Sequence, residues 1–192
     1  MDDTLSKLLG SARKVKILRL FLFNPEEIFT AKEVASRVRV PRREVSSLLK
    51  PLAAIKLISK NSRGRVAHFT LNLTFPYRTA LQNLLLNAST NAEDIYKYIR
   101  RDAVIKLVVV SGIFVGEWEG RIDLLVVADR VKERALNKHI GILESEIGRE
   151  IRYTVLSTQE FFYRLNINDH LLRDVLDYTH KIMFDRLDIG LK

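Results

Sequence analysis

Five residues between positions 42 and 50 have the types and the spacing of a nucleic-acid contact surface. Residues three or four positions apart share one face of an α-helix, so this segment predicts a helix with a cationic, hydroxyl-bearing face. Side chains of these types bind the phosphates and base edges of double-stranded DNA. The alternative is an ordinary amphipathic helix whose basic face is solvated. The five residues are Arg42, Arg43, Ser46, Ser47 and Lys50.

A second basic group follows in a segment with the sequence of a β-hairpin. Arg63 and Arg65 flank Gly64, between the apolar segments Leu57–Ile58 and Val66–Leu71. Glycine permits the tight turn that a hairpin needs. The pattern therefore predicts a hairpin tip whose two arginines contact the DNA backbone or the minor groove. A solvated basic turn is the alternative.

The basic residues at positions 42–50 must be positioned by the elements around them, and these have the pattern of two helices joined by a short turn. Thr30 and Glu33 have the spacing of a capping box, in which each side chain satisfies a free backbone N–H group at the start of a helix. The turn is predicted at residues 39–41. Pro41 suits the first turn of the second helix, because no backbone N–H is needed there.

The second helix also has a predicted core face. Pro51 removes one backbone hydrogen bond from this helix, and the residue before a proline avoids helical angles. We therefore expect a kink or a break near Lys50, after the basic segment. The residues of the core face are Val45, Leu48, Leu49, Leu52 and Ile55.

Upstream of these elements, Ser11 is expected to cap a helix that continues to about Asn24, and Ile28–Thr30 to form a short strand. Together, residues 12–73 resemble the winged helix-turn-helix of small prokaryotic transcriptional regulators. In that family one helix lies in the major groove of DNA, beside a hairpin called the wing. The resemblance implies a DNA-binding domain at residues 1–76 and indicates neither operator nor effector.

Charge is distributed unequally along the chain, which has a formal net charge of +9. Residues 1–80 contain 16 Lys and Arg against 6 Asp and Glu, whereas residues 81–192 contain 16 against 17. This asymmetry is typical of a DNA-binding module joined to a neutral domain. An anionic membrane surface would favour a single basic amphipathic helix, so DNA is the preferred partner.

Composition narrows the class of protein further. There is no cysteine, which excludes disulfides and thiolate metal sites. No apolar run approaches the ~20 residues that span a bilayer, and the first residues lack the pattern of a signal peptide. We expect a cytoplasmic protein without a membrane partner.

Residues 77–102 are predicted to form two connecting helices. One covers Tyr77–Leu86, and the other starts at a second capping box, Thr90 and Glu93, and continues to about Arg101. These helices are candidates for a dimer contact, and internal packing is the alternative.

From residue 103 the pattern changes to alternating strands and helices. β-branched runs predict buried strands, and a capping box at Ser157 and Glu160 predicts a helix start. The predicted elements are strands at 105–110, 122–127 and 150–156, a helix capped by Asp129 and continuing to about Gly148, a helix through Leu165, and a C-terminal helix from Asp169 to Phe184.

The segments Val109–Gly116 and Gly120–Val127 resemble the nucleotidyltransferase fold of polymerase-β-like enzymes. In active members a Gly-Ser pair lies beneath the nucleotide phosphates. Two carboxylates on the next strand and a third from a later strand hold Mg²⁺, which takes oxygen ligands. The resemblance implies a small mixed sheet with helices, at residues 103–192.

The chain departs from that pattern at the positions that carry the chemistry. The pair is inverted to Ser111 and Gly112, Arg121 replaces the first carboxylate, and Asp123 alone remains. The third strand offers no acid except Glu150 at its edge. Arg121 and Asp123 lie on the same strand face, so we expect them to pair with each other. The four residues 111, 112, 121 and 123 then form a vestigial nucleotide site.

The sequence thus predicts a two-domain α+β protein, with an N-terminal winged helix-turn-helix and a C-terminal nucleotidyltransferase-like domain. We expect a DNA-binding transcriptional regulator without catalytic residues, metal or cofactor. Its partners would be double-stranded DNA, a second copy of the chain, and a nucleotide or protein effector. One alternative is a nucleotidyltransferase with residual activity from Asp123 and Glu150, targeted by its DNA-binding domain. Another is a protein-binding module.

Overall fold

The computed structural model describes residues 4–63, 65–87, 92–117 and 120–189. The protein is α+β, and its described strands form two sheets. It divides into two compact units, one of Met1–Ser89 with Leu143–Arg149 and one of Thr90–Ile142 with Glu150–Lys192. The sequence-based boundaries at residues 76 and 102 stay a prediction. None of the helices in the described ranges combines the length and the apolarity needed to cross a membrane.

The first unit contains five helices and a three-stranded sheet within its described residues. The sheet is antiparallel, with strand order β1-β3-β2. The elements are α1 (Thr4–Leu8), α2 (Ala12–Phe23), β1 (Ile28–Thr30), α3 (Ala31–Val38), α4 (Arg42–Ala54), β2 (Ile58–Arg63), β3 (Val66–Leu71) and α5 (Arg78–Asn87).

Helix α2 forms the centre of this unit's core. Ser11 caps it by accepting a hydrogen bond from the backbone N–H of Lys14, and Asn24 follows its last residue, as predicted. Phe21 on its buried face packs edge-to-face on Phe29 of β1, with ring centroids 5.5 Å apart. The apolar residues of α2 are buried around most of its circumference, which is typical of a helix enclosed by its neighbours.

Helix α3 begins at the predicted capping box. The Thr30 hydroxyl accepts from the Glu33 N–H at 3.3 Å, and the Glu33 carboxylate accepts from the Thr30 N–H at 2.7 Å. The helix ends at Val38, and Arg39, the residue after it, adopts a left-handed conformation with φ 51°. That conformation turns the chain toward α4 within three residues.

Helix α4 differs from its prediction in three details. Pro41 is the residue before the helix, which starts at Arg42. The helix continues through Pro51, so the break that was one of the two expected outcomes is absent, because buried Leu49 and Leu52 hold both sides of the proline in the core. The other expected outcome, a kink, stays a prediction. Ile55, predicted to be in the core, is exposed beyond the last residue of the helix.

Residues Leu143–Arg149 complete the first unit from a distant part of the sequence. The Arg19 guanidinium donates to the Glu146 carbonyl at 3.0 Å, and the Asn24 amide donates to the Gly148 carbonyl at 2.7 Å. Gly148 has φ +82°, and a Cβ there would lie 2.6 Å from the Leu20 nitrogen. Only glycine fits this close approach to α2.

The second unit is a four-stranded mixed sheet with helices. Its strand order is β6-β5-β4-β7, and β5 and β6 are parallel while the other pairs are antiparallel. The elements are α6 (Ala92–Ile99), β4 (Val104–Val110), a 3-10 turn (Gly112–Val115), β5 (Leu124–Asp129), α7 (Glu133–Ile147, whose last residues group with the first unit), β6 (Tyr153–Leu156), α8 (Thr158–Asn166), α9 (His170–Leu176) and β7 (Lys181–Asp185).

Two sequence-based expectations about the elements of this unit were wrong. The C-terminal helix ends at Leu176, and β7 follows it because the buried strand β4 takes β7 as its second neighbour. Asp129 does not cap α7. Its carboxylate accepts from the N–H and hydroxyl of Thr158 at 3.1 and 2.8 Å, and these bonds lower the pKa of Asp129.

The predicted helix starts have different outcomes. Ser157 caps α8 by accepting from the Glu160 N–H at 3.1 Å, as expected, although the Glu160 carboxylate pairs with Arg164. The capping box predicted at Thr90 lies outside the described residues.

Candidate functional site

The face of α4 that was predicted to contact DNA is fully turned to solvent. All five of its residues are exposed, while Val45, Leu49 and Leu52 on the opposite face are buried. The apolar face packs into the core, and the polar face is accessible to a ligand along more than two turns. The exposed residues are Arg42, Arg43, Ser46, Ser47 and Lys50.

The cations of this face are without an ion-pair partner in the described part of the chain. Arg42, Arg43 and Lys50 form no ion pair with any other described residue. The Ser47 hydroxyl donates to the Glu44 carbonyl at 2.7 Å, one turn back on the same helix, so its oxygen can still accept a bond from a ligand. Unpaired cations beside hydroxyl groups form an electropositive surface, which attracts phosphates.

Arg13 on α2 is an additional cation at this surface that the sequence analysis did not select. Its guanidinium forms an ion pair with the carboxylate of Glu44 on α4. The pair neutralises the one acid of α4 and places Arg13 beside that helix. No local spacing indicates this contact, because the two residues are 31 positions apart.

The predicted hairpin is present. Its second strand has the predicted bounds, Val66–Leu71, and its first strand, Ile58–Arg63, is longer than the predicted Leu57–Ile58. β2 and β3 pair from Ile58–Leu71 up to Arg63–Val66, which leaves a two-residue connection. Arg65 in that connection is exposed. Arg63 is the last residue of β2. The structure describes neither the side chain of Arg63 nor Gly64.

Asp123 in the second unit is fully buried, with 0% of its surface exposed. Its carboxylate accepts four hydrogen bonds. Oδ1 accepts from the Ile113 N–H at 3.0 Å and from Nη2 of Arg152 at 2.8 Å, and Oδ2 accepts from the backbone N–H and Nε of Arg152, both at 2.9 Å. A carboxylate has about four acceptor positions, and all of them are therefore used by protein donors.

The other residues of the predicted vestigial site contribute to this arrangement in different ways. The Ser111 hydroxyl donates to the Ile122 carbonyl at 2.7 Å, and Gly112 begins the 3-10 turn with φ +53°. Arg121 does not pair with Asp123 as expected. It is 79% exposed and pairs with Asp174 of α9 at 3.2 Å, because Arg152 already satisfies the buried carboxylate.

Arg152 is the residue of this cluster that the sequence analysis missed. It immediately precedes β6, and its hydrogen bonds to the Asp123 carboxylate raise the pKa of its guanidinium. The sequence did indicate that Asp123 needs a partner, because a buried carboxylate requires a cation or several hydrogen-bond donors. The sequence did not indicate which of the many basic residues would supply them.

The donor set around Asp123 does not fit Mg²⁺, which needs unoccupied carboxylate oxygens. Among the described residues, no three His, Cys, Asp or Glu side chains are grouped so as to hold a metal ion. Comparisons of the chain with protein-family models, curated proteins and solved structures found no match.

Proposed function

We propose that the chain is a DNA-binding transcriptional regulator whose first unit acts as a winged helix. The observation that carries this proposal is the exposed face of α4. On it, serine hydroxyls and cations that have no ion pair among the described residues lie opposite a buried apolar face. Phosphates and base edges offer the acceptors that such a face binds. The net positive charge of residues 1–80 supports the same partner.

The arrangement of the first unit supports a winged-helix mode of binding. Helices α3 and α4 are joined by a short turn, and the β2–β3 hairpin follows α4 directly and carries Arg65 at its connection. In this mode α4 enters the major groove, with Arg42, Arg43 and Lys50 toward DNA. Arg63 and Arg65 contact the backbone or minor groove from the hairpin.

The second unit, in this proposal, performs no nucleotidyl transfer. Its sheet order and the turn between β4 and β5 support a nucleotidyltransferase-like arrangement. The support for a non-catalytic role is Asp123, whose carboxylate oxygens are all engaged by Ile113 and Arg152. Metal-assisted phosphoryl transfer needs carboxylates that are free to bind metal. The unit would instead serve dimerisation or bind a nucleotide or protein effector.

The proposal includes a homodimer. Helix-turn-helix proteins commonly dimerise to bind two half-sites about one DNA turn, or ~34 Å, apart. Helix α5 is a candidate for the dimer contact. One of its faces packs internally, where the Gln82 amide donates to the Leu22 carbonyl at 2.7 Å, and Leu84 on another face is exposed and could contact a second copy. Light scattering of the full chain should give twice the mass of one chain.

The decisive experiment is fluorescence anisotropy with a labelled random duplex, titrated with the full chain at several salt concentrations. We expect log affinity to fall linearly with log salt, with a slope of about 0.9 for each phosphate contact. Replacing Arg42, Arg43 and Lys50 together by alanine should weaken binding and flatten the slope.

A matched triple variant, with alanine at Arg101, Arg134 and Lys138, controls for net charge. These three residues are exposed cations of the second unit. If both triple variants bind DNA equally, general positive charge and not α4 is responsible. If the wild-type chain does not bind DNA even at low salt, the regulator proposal fails and a protein partner for the basic surface becomes the better hypothesis.

A further inference from the structure

The contacts of Asp123 show which groups balance its buried negative charge. In the enzymes that this unit resembles, the carboxylate on this strand faces a divalent cation. Here the same position faces a guanidinium: Arg152 reaches both carboxylate oxygens with its side chain, at 2.8 and 2.9 Å. The side-chain pair is bidentate, which is the strongest geometry for an arginine and a carboxylate.

The backbone of Arg152 strengthens the same contact. Its N–H donates to Asp123 Oδ2 at 2.9 Å, and its carbonyl accepts from the Asp123 N–H at 2.7 Å. The guanidinium is thus anchored through a backbone segment that is itself bonded to Asp123. The side chain of Arg152 is 37% exposed, so the cation is partly shielded from solvent.

The turn after β4 closes the other side of the carboxylate. The Ile113 N–H donates to Oδ1 at 3.0 Å. Gly112 approaches so closely that a Cβ at this position would lie 2.2 Å from the same oxygen. The backbone therefore contacts the carboxylate directly and leaves no volume for a hydrated ion between them.

We infer that Arg152 is a built-in cation that takes the place of a divalent metal at Asp123. The pair joins three parts of the second unit: the 3-10 turn, the start of β5 and the residue before β6. The second unit therefore folds without a metal at this position. Asp123 becomes accessible to divalent cations only when the guanidinium is removed.

This inference does not depend on DNA binding, and thermal unfolding of the full chain tests it. The chain is first treated with EDTA and then measured with and without millimolar Mn²⁺ or Mg²⁺. The relevant quantity is the metal-induced shift in Tm of the wild type minus that of Asp123→Asn, since ions bound elsewhere cancel in the difference. We expect this difference to be zero. A positive difference would show that metal binds Asp123 in the native protein and would overturn the inference.

Two further variants test the replacement itself. Arg152→Gln leaves Asp123 buried without its cation, so Tm should fall, and Mn²⁺ should recover part of the loss. The double variant Asp123→Asn/Arg152→Gln should unfold at a higher temperature than either single variant and should not respond to Mn²⁺, because removing both partners leaves no unpaired buried charge. If Arg152→Gln does not respond to Mn²⁺, or if the double variant is the least stable of the three, Arg152 is not acting as the replacement cation.

Should Arg152→Gln fail to fold, the wild-type comparison is still decisive. Mn²⁺ binding can then be measured directly by electron paramagnetic resonance of the free ion in solutions of wild type and Asp123→Asn. Equal binding by both proteins agrees with the inference. Binding that is stronger in the wild type contradicts it.

Discussion

Single residues define both candidate sites, and the most informative ones are those that contact groups far away in sequence. Glu44 is the only acid on α4, and it pairs with Arg13. The acid reduces the positive potential of the surface that we propose binds DNA, while the arginine partly restores it. If this surface binds DNA, charge at this position adjusts affinity for any phosphate backbone without reading its sequence.

Replacing Glu44 by glutamine should tighten binding to random duplex DNA. One unit charge near the surface contributes roughly 0.5–1 kcal/mol, which corresponds to about twofold to fivefold at low salt. Anisotropy titrations of wild type and Glu44→Gln measure the effect. Glu133→Gln is the matched control, since Glu133 is an exposed acid in the first turn of α7 in the second unit. Equal effects of the two variants would argue against a DNA surface at α4.

Gly112 should be among the least replaceable residues of the second unit. An alanine there meets two separate penalties: a left-handed backbone with φ +53° and a Cβ 2.2 Å from Asp123 Oδ1. We expect Gly112→Ala to cost about 1–3 kcal/mol or more. Thermal or urea unfolding measures the loss.

Gly116 provides a control that separates the two penalties. It also has a positive φ, +88°, but no atom lies within 4 Å of a Cβ built there. Gly116→Ala should therefore lose only the backbone part, about 1 kcal/mol. If the two variants are equally stable, the contact between residue 112 and the carboxylate contributes nothing.

At the scale of elements, helix starts are held by short-range bonds that can be tested separately. Thr30→Ala removes the hydroxyl that caps α3 and should cost about 1 kcal/mol of folding free energy. Thr79→Ala, in an exposed position inside α5, should cost less. Urea unfolding of both variants makes the comparison.

The same capping box adds a pH dependence to stability. Hydrogen bonds from the Thr30 N–H and hydroxyl lower the pKa of Glu33 below its ordinary value of 4.5. A lowered pKa stabilises the fold above about pH 4.5, and this contribution is lost as pH falls through the folded-state pKa. Glu33→Gln should therefore reduce the acid sensitivity of unfolding. An unchanged pH profile would contradict this assignment.

Helices and strands could be predicted from the sequence where the residues that start or stabilise them are close together in the chain. Ser11, the Thr30–Glu33 box and Ser157 each act within three residues, and the helices that they start were found at the expected positions. β7 was missed because nothing near Ile182 or Phe184 indicates pairing with β4, which lies more than seventy residues earlier. Strand pairing of this kind depends on which edge remains available after the rest of the sheet has formed.

At the scale of the whole molecule, the sequence indicated where positive charge accumulates but not which charged residues pair with each other. The excess of Lys and Arg in residues 1–80 is visible in the sequence, and the exposed cations of α4 agree with it. The specific pairs were not predictable. Arg13 finds Glu44 across 31 positions, and Arg152 finds Asp123 across 29. These choices depend on the three-dimensional fold, and the closest arginine in sequence, Arg121, pairs with Asp174 instead.

The discontinuous first unit has a consequence for synthesis on the ribosome. Its final piece, Leu143–Arg149, bonds to Arg19 of α2 through Glu146 and to Asn24, just after α2, through Gly148. This piece is translated only after residues 90–142. At about 5–20 residues per second, translation of that interval takes roughly 3 to 11 s. During this time the nascent chain carries the basic helix α4 in a unit that still lacks its last segment. Premature termination before residue 143 would release a fragment that has the basic helix and lacks the segment that completes its unit.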